Sequence, residues 1–283
     1  MIIIPLWFYE FGSLMYFLSS AVAFLVSYFS FRLYKYTNSR QHLFLYTAFA
    51  FITLGLVVLT IGNVISYFNF DECRPNCIID PTDVTYLWIR FGNYGYYLTA
   101  LIGYSLLALS YFKFNFKIKT ANKNKAINSN KNIISNKSKT IKSNKKFLLS
   151  FFVLPLSLFA LLLPPAFDVT ILQTQQPIFV LFPFINPYFQ TFHILSSILL
   201  AYIVFQVLPA YLKTKSKLSL IVLLSFLSIL FYHVLMFGVA IYPIFFALAH
   251  FSLIVGFGLL LLMLVKVGVD ERERSKIKDA SHR

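Results

Sequence analysis

The chain has 283 residues, a mean hydropathy of +0.72 and 58% hydrophobic residues. Soluble domains hold roughly 45–50% apolar residues, so a water-soluble core is excluded. The formal charge of +15 would suggest nucleic acid in a soluble protein, but in a membrane chain it is read as topological, with anionic lipid headgroups as counter-charge and no nucleic-acid partner.

A spanning helix needs about 20 predominantly apolar residues. Such stretches fall at roughly 8–33, 43–68, 84–112, 147–166, 187–211, 218–240 and 244–267. They predict an all-α, polytopic protein with seven transmembrane helices. The first stretch lacks a basic n-region, carries Glu10 and runs on to Arg32 and Lys35, so it reads as a span and not as a cleaved leader. The nearly continuous 218–267 region is divided by Gly238 and Pro243, because proline cannot continue a helix through that point.

The loops set the orientation. Every lysine and arginine except Arg74 and Arg90 falls on one side of the threaded chain: after the first, third, fifth and seventh spans. Basic short loops stay in the cytoplasm, which predicts an outside N-terminus, a cytoplasmic C-terminus and a multi-pass location in the cell membrane. Four regions follow. Residues 1–116 hold three spans with the outer loop 69–83, and 117–146 form a disordered Lys/Asn-rich cytoplasmic loop. Residues 147–268 hold spans four to seven, and 269–283 form a charged tail whose alternating signs would let the last helix continue. The 117–146 loop reads as a tether, or as a dock for a cytoplasmic partner or an acidic lipid.

Cys73 and Cys77, both in the outer loop, are a disulfide candidate in an oxidising compartment. A redox-active dithiol is the rival reading. Without a neighbouring histidine the pair makes a poor zinc site.

Polar side chains within spans are costly and default to functional candidates. Threading brings His193, His233 and His250 to one depth in the outer leaflet, near Arg90 and Asn93. These five residues are the ligand-binding candidates, lining an outward cavity beneath the proline-broken, aromatic 177–189 segment. Two of the three histidines could ligate b-type haem, or all three a metal. The plain alternatives are histidines bonded to a carbonyl, Ser or Tyr, and Arg90 paired with Glu10, Asp83 or Asp168 or reaching to headgroups. The glycine-lined packing seen in many haem-binding bundles is not obvious in the sequence.

Phe31–Leu56, FRLYKYTNSRQHLFLYTAFAFITLGL, an inner basic loop opening directly into a span, resembles the seven-helix membrane input regions of archaeal sensor proteins. The resemblance implies a stand-alone sensor bundle lacking an output domain. No lysine sits mid-span in the last helix, as a retinal Schiff base would require, and no inverted repeat of the transporter kind is evident. The functional expectation is non-enzymatic: outer-face sensing of a small ligand, or membrane anchoring of a partner, without a cofactor. A membrane redox subunit with haem on two histidines is the alternative.

Overall fold

The computed structural model describes residues 7–72, 91–111, 187–239, 242 and 244–281. All the regular structure among them is helical: α1 (Trp7–Thr37), α2 (Arg40–Glu72), α3 (91–111), α4 (Pro187–Thr214), α5 (Lys217–Gly238) and α6 (Ile244–Ser281). Five of these, all but α3, are long and apolar enough to cross a membrane. The tyrosines and glycines of α3 make it more polar. The expected span at 147–166, the 117–146 loop, Arg90, Cys73, Cys77 and most of the 177–189 segment lie outside the described residues.

The division of 218–267 falls where Gly238 and Pro243 predict it, with α5 ending at Gly238 and α6 starting at Ile244. Between them Tyr242 N–H donates to Gly238 O at 3.0 Å. Beyond the expected span end near 267, α6 continues into the charged tail as far as Ser281, as the tail's charge pattern allows.

Two turns on the basic side are built alike from sequence. Thr37-Asn38-Ser39-Arg40 joins α1 to α2, and Thr214-Lys215-Ser216-Lys217 joins α4 to α5. In each, the second residue takes a left-handed conformation, with φ of 50° at Asn38 and 47° at Lys215. Its N–H closes the preceding helix on Tyr34 O at 2.8 Å or Tyr211 O at 2.7 Å, a common helix ending. In each, the serine N–H donates to the threonine Oγ1 at 3.4 Å. Ser216 then caps α5 by accepting from Ser219 N–H at 3.1 Å, satisfying one of the donors every helix start leaves over.

The helices pack in chain order around one core. α1 packs on α2 and α6, and α5 packs on α4 and α6. α3 closes the arrangement: Tyr97 stacks on Phe192 of α4 with ring centroids 4.6 Å apart, and Tyr111 meets Phe226 of α5 at 5.4 Å. Phe49 of α2 and Phe257 of α6 meet edge to face in the middle at 5.5 Å.

A glycine seam joins α2 to α3. A Cβ on Gly92 would lie 3.4 Å from Gly62 Cα, and one on Gly95 would lie 3.2 Å from Val58. Gly55 faces Tyr96 and Thr99, and Gly103 faces Ala48 and Ile52. Without side chains at these points the two backbones approach closely, which is how helices associate where lipid offers no hydrophobic driving force. The seam explains how the more polar α3 is held.

Polarity is inverted relative to a soluble bundle. Phe17, Phe24, Phe205, Phe231, Phe251 and Leu262 point outward, whereas Ser19, Ser27, Ser30, Ser105, Ser196, Ser225 and three histidines are buried. Several of the hydroxyls bond within the bundle: Ser30 to Val26 O at 2.7 Å, Ser27 across to Tyr46 O of α2 at 3.1 Å, and Ser252 across to Ser228 O of α5 at 2.7 Å. Outward apolar faces many residues long suit a hydrocarbon solvent.

Candidate functional site

His193, His233 and His250 come from three different helices, and each lies about two turns, roughly 8–9 Å at 1.5 Å per residue, from one end of its helix. Because α5 runs opposite to α4 and α6, these depths coincide. The structure brings the three into one layer, with exposures of 1%, 0% and 0%.

The centre of the layer is a hydrogen-bonded chain. His193 Nδ1 and His233 Nδ1 stand 2.8 Å apart, and His233 Nε2 lies 3.2 Å from the Tyr104 hydroxyl. One imidazole nitrogen of the facing pair must carry a proton and the other a lone pair, so the chain has two self-consistent arrangements. Either His193 donates to His233 and His233 donates to Tyr104, or Tyr104 donates to His233 and His233 donates to His193. The two differ only by proton positions, which makes the chain a short proton relay among three helices.

His250 is held differently. Its Nδ1 lies 2.7 Å from Phe246 O, and a carbonyl only accepts, so Nδ1 carries the proton and Nε2 presents a lone pair. That Nε2 is buried without a hydrogen-bond partner among the described residues. Aromatic rings surround the imidazole: Tyr16 edge-on at 4.7 Å, Phe246 at 4.2 Å and Tyr232 at 5.7 Å. Tyr232 in turn shares a 3.4 Å hydroxyl contact with Tyr96, and its ring lies 4.8 Å from that of His233. Tyr232 therefore connects the His250 end of the layer to the relay.

The other buried side-chain atoms without a partner among the described residues gather near the same level. They are the hydroxyls of Ser13, Ser19, Ser196 and Ser197. Ser13 and Ser19 lie one turn either side of Tyr16, and Ser196 lies one turn beyond His193. A buried hydroxyl or imidazole nitrogen left unpaired costs about 1–3 kcal/mol, so their concentration here is unusual among buried polar groups.

Of the five ligand candidates named from sequence, the three histidines assemble. Asn93 is half-buried on α3, three residues before Tyr96, and shares no hydrogen bond with them among the described residues. Arg90 lies outside the described residues. The reading from sequence missed Tyr16, Tyr104 and Tyr232 as members of the layer. Tyr232 adjoins His233, and Tyr97, Ala100, Tyr104 and Leu107 repeat at the helical spacing of one buried face, so the pattern was present.

The histidine pair does not have the spacing of a shared metal site. With bonds of about 2.0–2.1 Å, two nitrogens on a tetrahedral metal stand about 3.3 Å apart, and axial nitrogens on haem iron stand about 4 Å apart on opposite faces. A separation of 2.8 Å suits a shared proton. Among the described residues no group of three His, Cys, Asp or Glu side chains gathers to hold a metal.

Fold and site together define a helical bundle with five candidate membrane-spanning helices and a histidine–tyrosine network in its core. No protein family, curated protein or solved structure matches the chain.

Proposed function

We propose that this is a seven-span protein of the cell membrane, outside-N and cytoplasmic-C, with a non-enzymatic role: its histidine–tyrosine layer senses a small polar ligand from the outer face. The observation that carries this reading is His250 Nε2, a lone pair fixed in position, buried and without a partner among the described residues, as are four hydroxyls near its level. A ligand bearing N–H or O–H groups would satisfy these atoms. It would also shift the balance between the two relay arrangements, and so couple α1, α3, α4, α5 and α6. Membrane anchoring of a partner is the alternative non-enzymatic role.

His250→Phe tests the reading without knowledge of the ligand. Phenylalanine keeps the ring packing and removes the buried unpaired nitrogen, and the Phe246 carbonyl keeps its helical bond. The detergent-purified variant should melt a few degrees higher than the parent, the stability–function exchange expected of a binding site. Small alcohols, amines and amino acids that stabilise the parent should not stabilise the variant. A melting point that falls by several degrees would show that Nε2 has a structural partner, and the sensing reading would lose its basis.

One observation favours a second reading, a membrane redox subunit carrying b-type haem or a metal. Metal-ligating histidines commonly donate their other nitrogen to a backbone carbonyl, as His250 does to Phe246. The ultraviolet-visible spectrum of the purified protein before and after dithionite separates the two. On the sensing reading it is featureless above the protein band, and a Soret peak lost in His250→Ala would replace sensing with redox work.

A further inference from the structure

At the end of the bundle opposite the histidines, a cavity of about 290 Å3 lies among the first turns of α2 and α5, the last turn of α3 and the adjoining stretches of α4 and α6. Its construction follows from the two similar turns. Gln41, His42 and Leu45 on α2, and Leu218, Ser219 and Val222 on α5, all line it. They occupy the same positions counted from Thr37 and Thr214: four, five and eight residues on. The wall is mainly apolar, with Met263 and Leu264 completing one side, and hydrogen-bonding side chains are set into it, Gln206 of α4 among them.

Cations flank this lining in sequence. Arg40 precedes Gln41, Lys217 precedes Leu218, Lys213 and Lys215 border the α4–α5 turn, and Lys266 follows Leu264 by two residues. All five are exposed, and among the described residues none forms an ion pair. Asp270 is exposed one turn beyond Lys266, and Glu271 and Glu273 follow it along α6. An apolar pocket with hydrogen-bonding side chains in its wall, and cations beside the lining residues in sequence that form no ion pair among the described residues, matches a molecule with an anionic head and an apolar tail. Size narrows the choice further: ligand pockets run from about 300 Å3 upward, so this one takes a headgroup, whereas a partner helix 10–12 Å across would not enter.

We propose that this cavity binds an acidic phospholipid of the inner leaflet, its phosphate among Gln41, His42, Gln206 and Ser219 and its acyl chains along the apolar wall. The site is separate from the histidine layer, so its occupancy does not depend on ligand sensing. Binding in detergent does not depend on the proposed orientation either.

The test uses the full chain in neutral detergent. Dioctanoyl phosphatidic acid is titrated against thermal unfolding, with dioctanoyl phosphatidylcholine and inorganic phosphate as comparisons, and retained lipid is counted by native mass spectrometry. Phosphatidic acid should stabilise saturably and be retained at one per chain. Val222→Phe, which fills the cavity, and the pair Arg40→Gln with Lys217→Gln, which leaves the cavity open, should each weaken it at least tenfold. Equal stabilisation by phosphatidylcholine would reduce the effect to general lipid solvation, and phosphate binding as tightly as the lipid would make the site one for free anions. Either result overturns the proposal, as does unchanged affinity in the charge-neutralised pair, a variant whose packing is untouched.

Discussion

Gly103→Leu should be the most damaging single substitution among the described residues, removing more than about 3 kcal/mol of stability and most of the monodisperse protein recovered in detergent. A Cβ at Gly103 would lie 2.6 Å from Ile52 Cγ1 and 2.8 Å from the Ala48 carbonyl oxygen. Ala48 and Ile52 are both buried, at 0% and 1% exposure. A side-chain end can rotate away, but the Ala48 carbonyl is backbone and can yield only if α2 moves, which opens the seam along its length. Gly258→Leu is the matched control, because a Cβ there meets nothing within 4 Å, and it should shift the melting point by a degree or two at most. Similar losses at both positions would mean that helix propensity, and not the α2–α3 approach, governs the outcome.

The second large effect is expected at His233, the middle of the relay. His233→Phe keeps the ring volume but leaves His193 Nδ1 and the Tyr104 hydroxyl without their partner, each buried at about 1% exposure. Two unsatisfied buried groups cost about 2–5 kcal/mol together. His193→Phe and Tyr104→Phe each orphan one nitrogen of His233 and should cost about half as much. The triple variant His193→Phe, His233→Phe, Tyr104→Phe should recover part of the loss, because a network replaced as a whole leaves nothing unpaired. Thermal unfolding of the five proteins, parent included, decides the matter: strictly additive losses would show that the three side chains do not act as a unit.

Both expectations rest on features with different standing in the sequence. The level shared by His193, His233 and His250 follows from counting residues inward from span ends along helices of alternating direction, a one-dimensional calculation that tolerates an error of a turn. That is why the layer could be foreseen while its bonds could not. Whether His193 Nδ1 meets His233 Nδ1 or a lipid tail depends on the rotation of α4 and α5 about their own axes, and near-uniform apolarity around those helices leaves rotation undetermined. The same difficulty hid the tyrosines. With 18 tyrosines in the chain, Tyr96, Tyr104 and Tyr232 could not be told apart from those of an interfacial belt until neighbouring helices buried them.

The glycine seam shows another kind of blindness. Gly55 and Gly62 are seven apart, and Gly95 and Gly103 eight apart, spacings that put each pair on one helix face. A face of small residues says only that something can approach closely, and the approaching partner was identified once Gly62 of α2 lay against Gly92 of α3. The inner cavity required still more, since two turns of similar sequence, 177 residues apart, frame it only because α2 and α5 begin at the same level of the bundle.

Hydropathy and the Gly238–Pro243 break determined by themselves that the described chain is helical and where five of its long apolar helices run. These are properties of each segment and its solvent, set by the cost of placing charge or unpaired backbone in hydrocarbon. The tertiary structure decided which side chains touch: the imidazole pair, the surroundings of His250, the α2–α3 seam and the inner cavity. Contacts of that kind depend on helix rotation and neighbour choice, which among uniformly apolar helices are settled by close packing and a few polar bonds that no single segment contains.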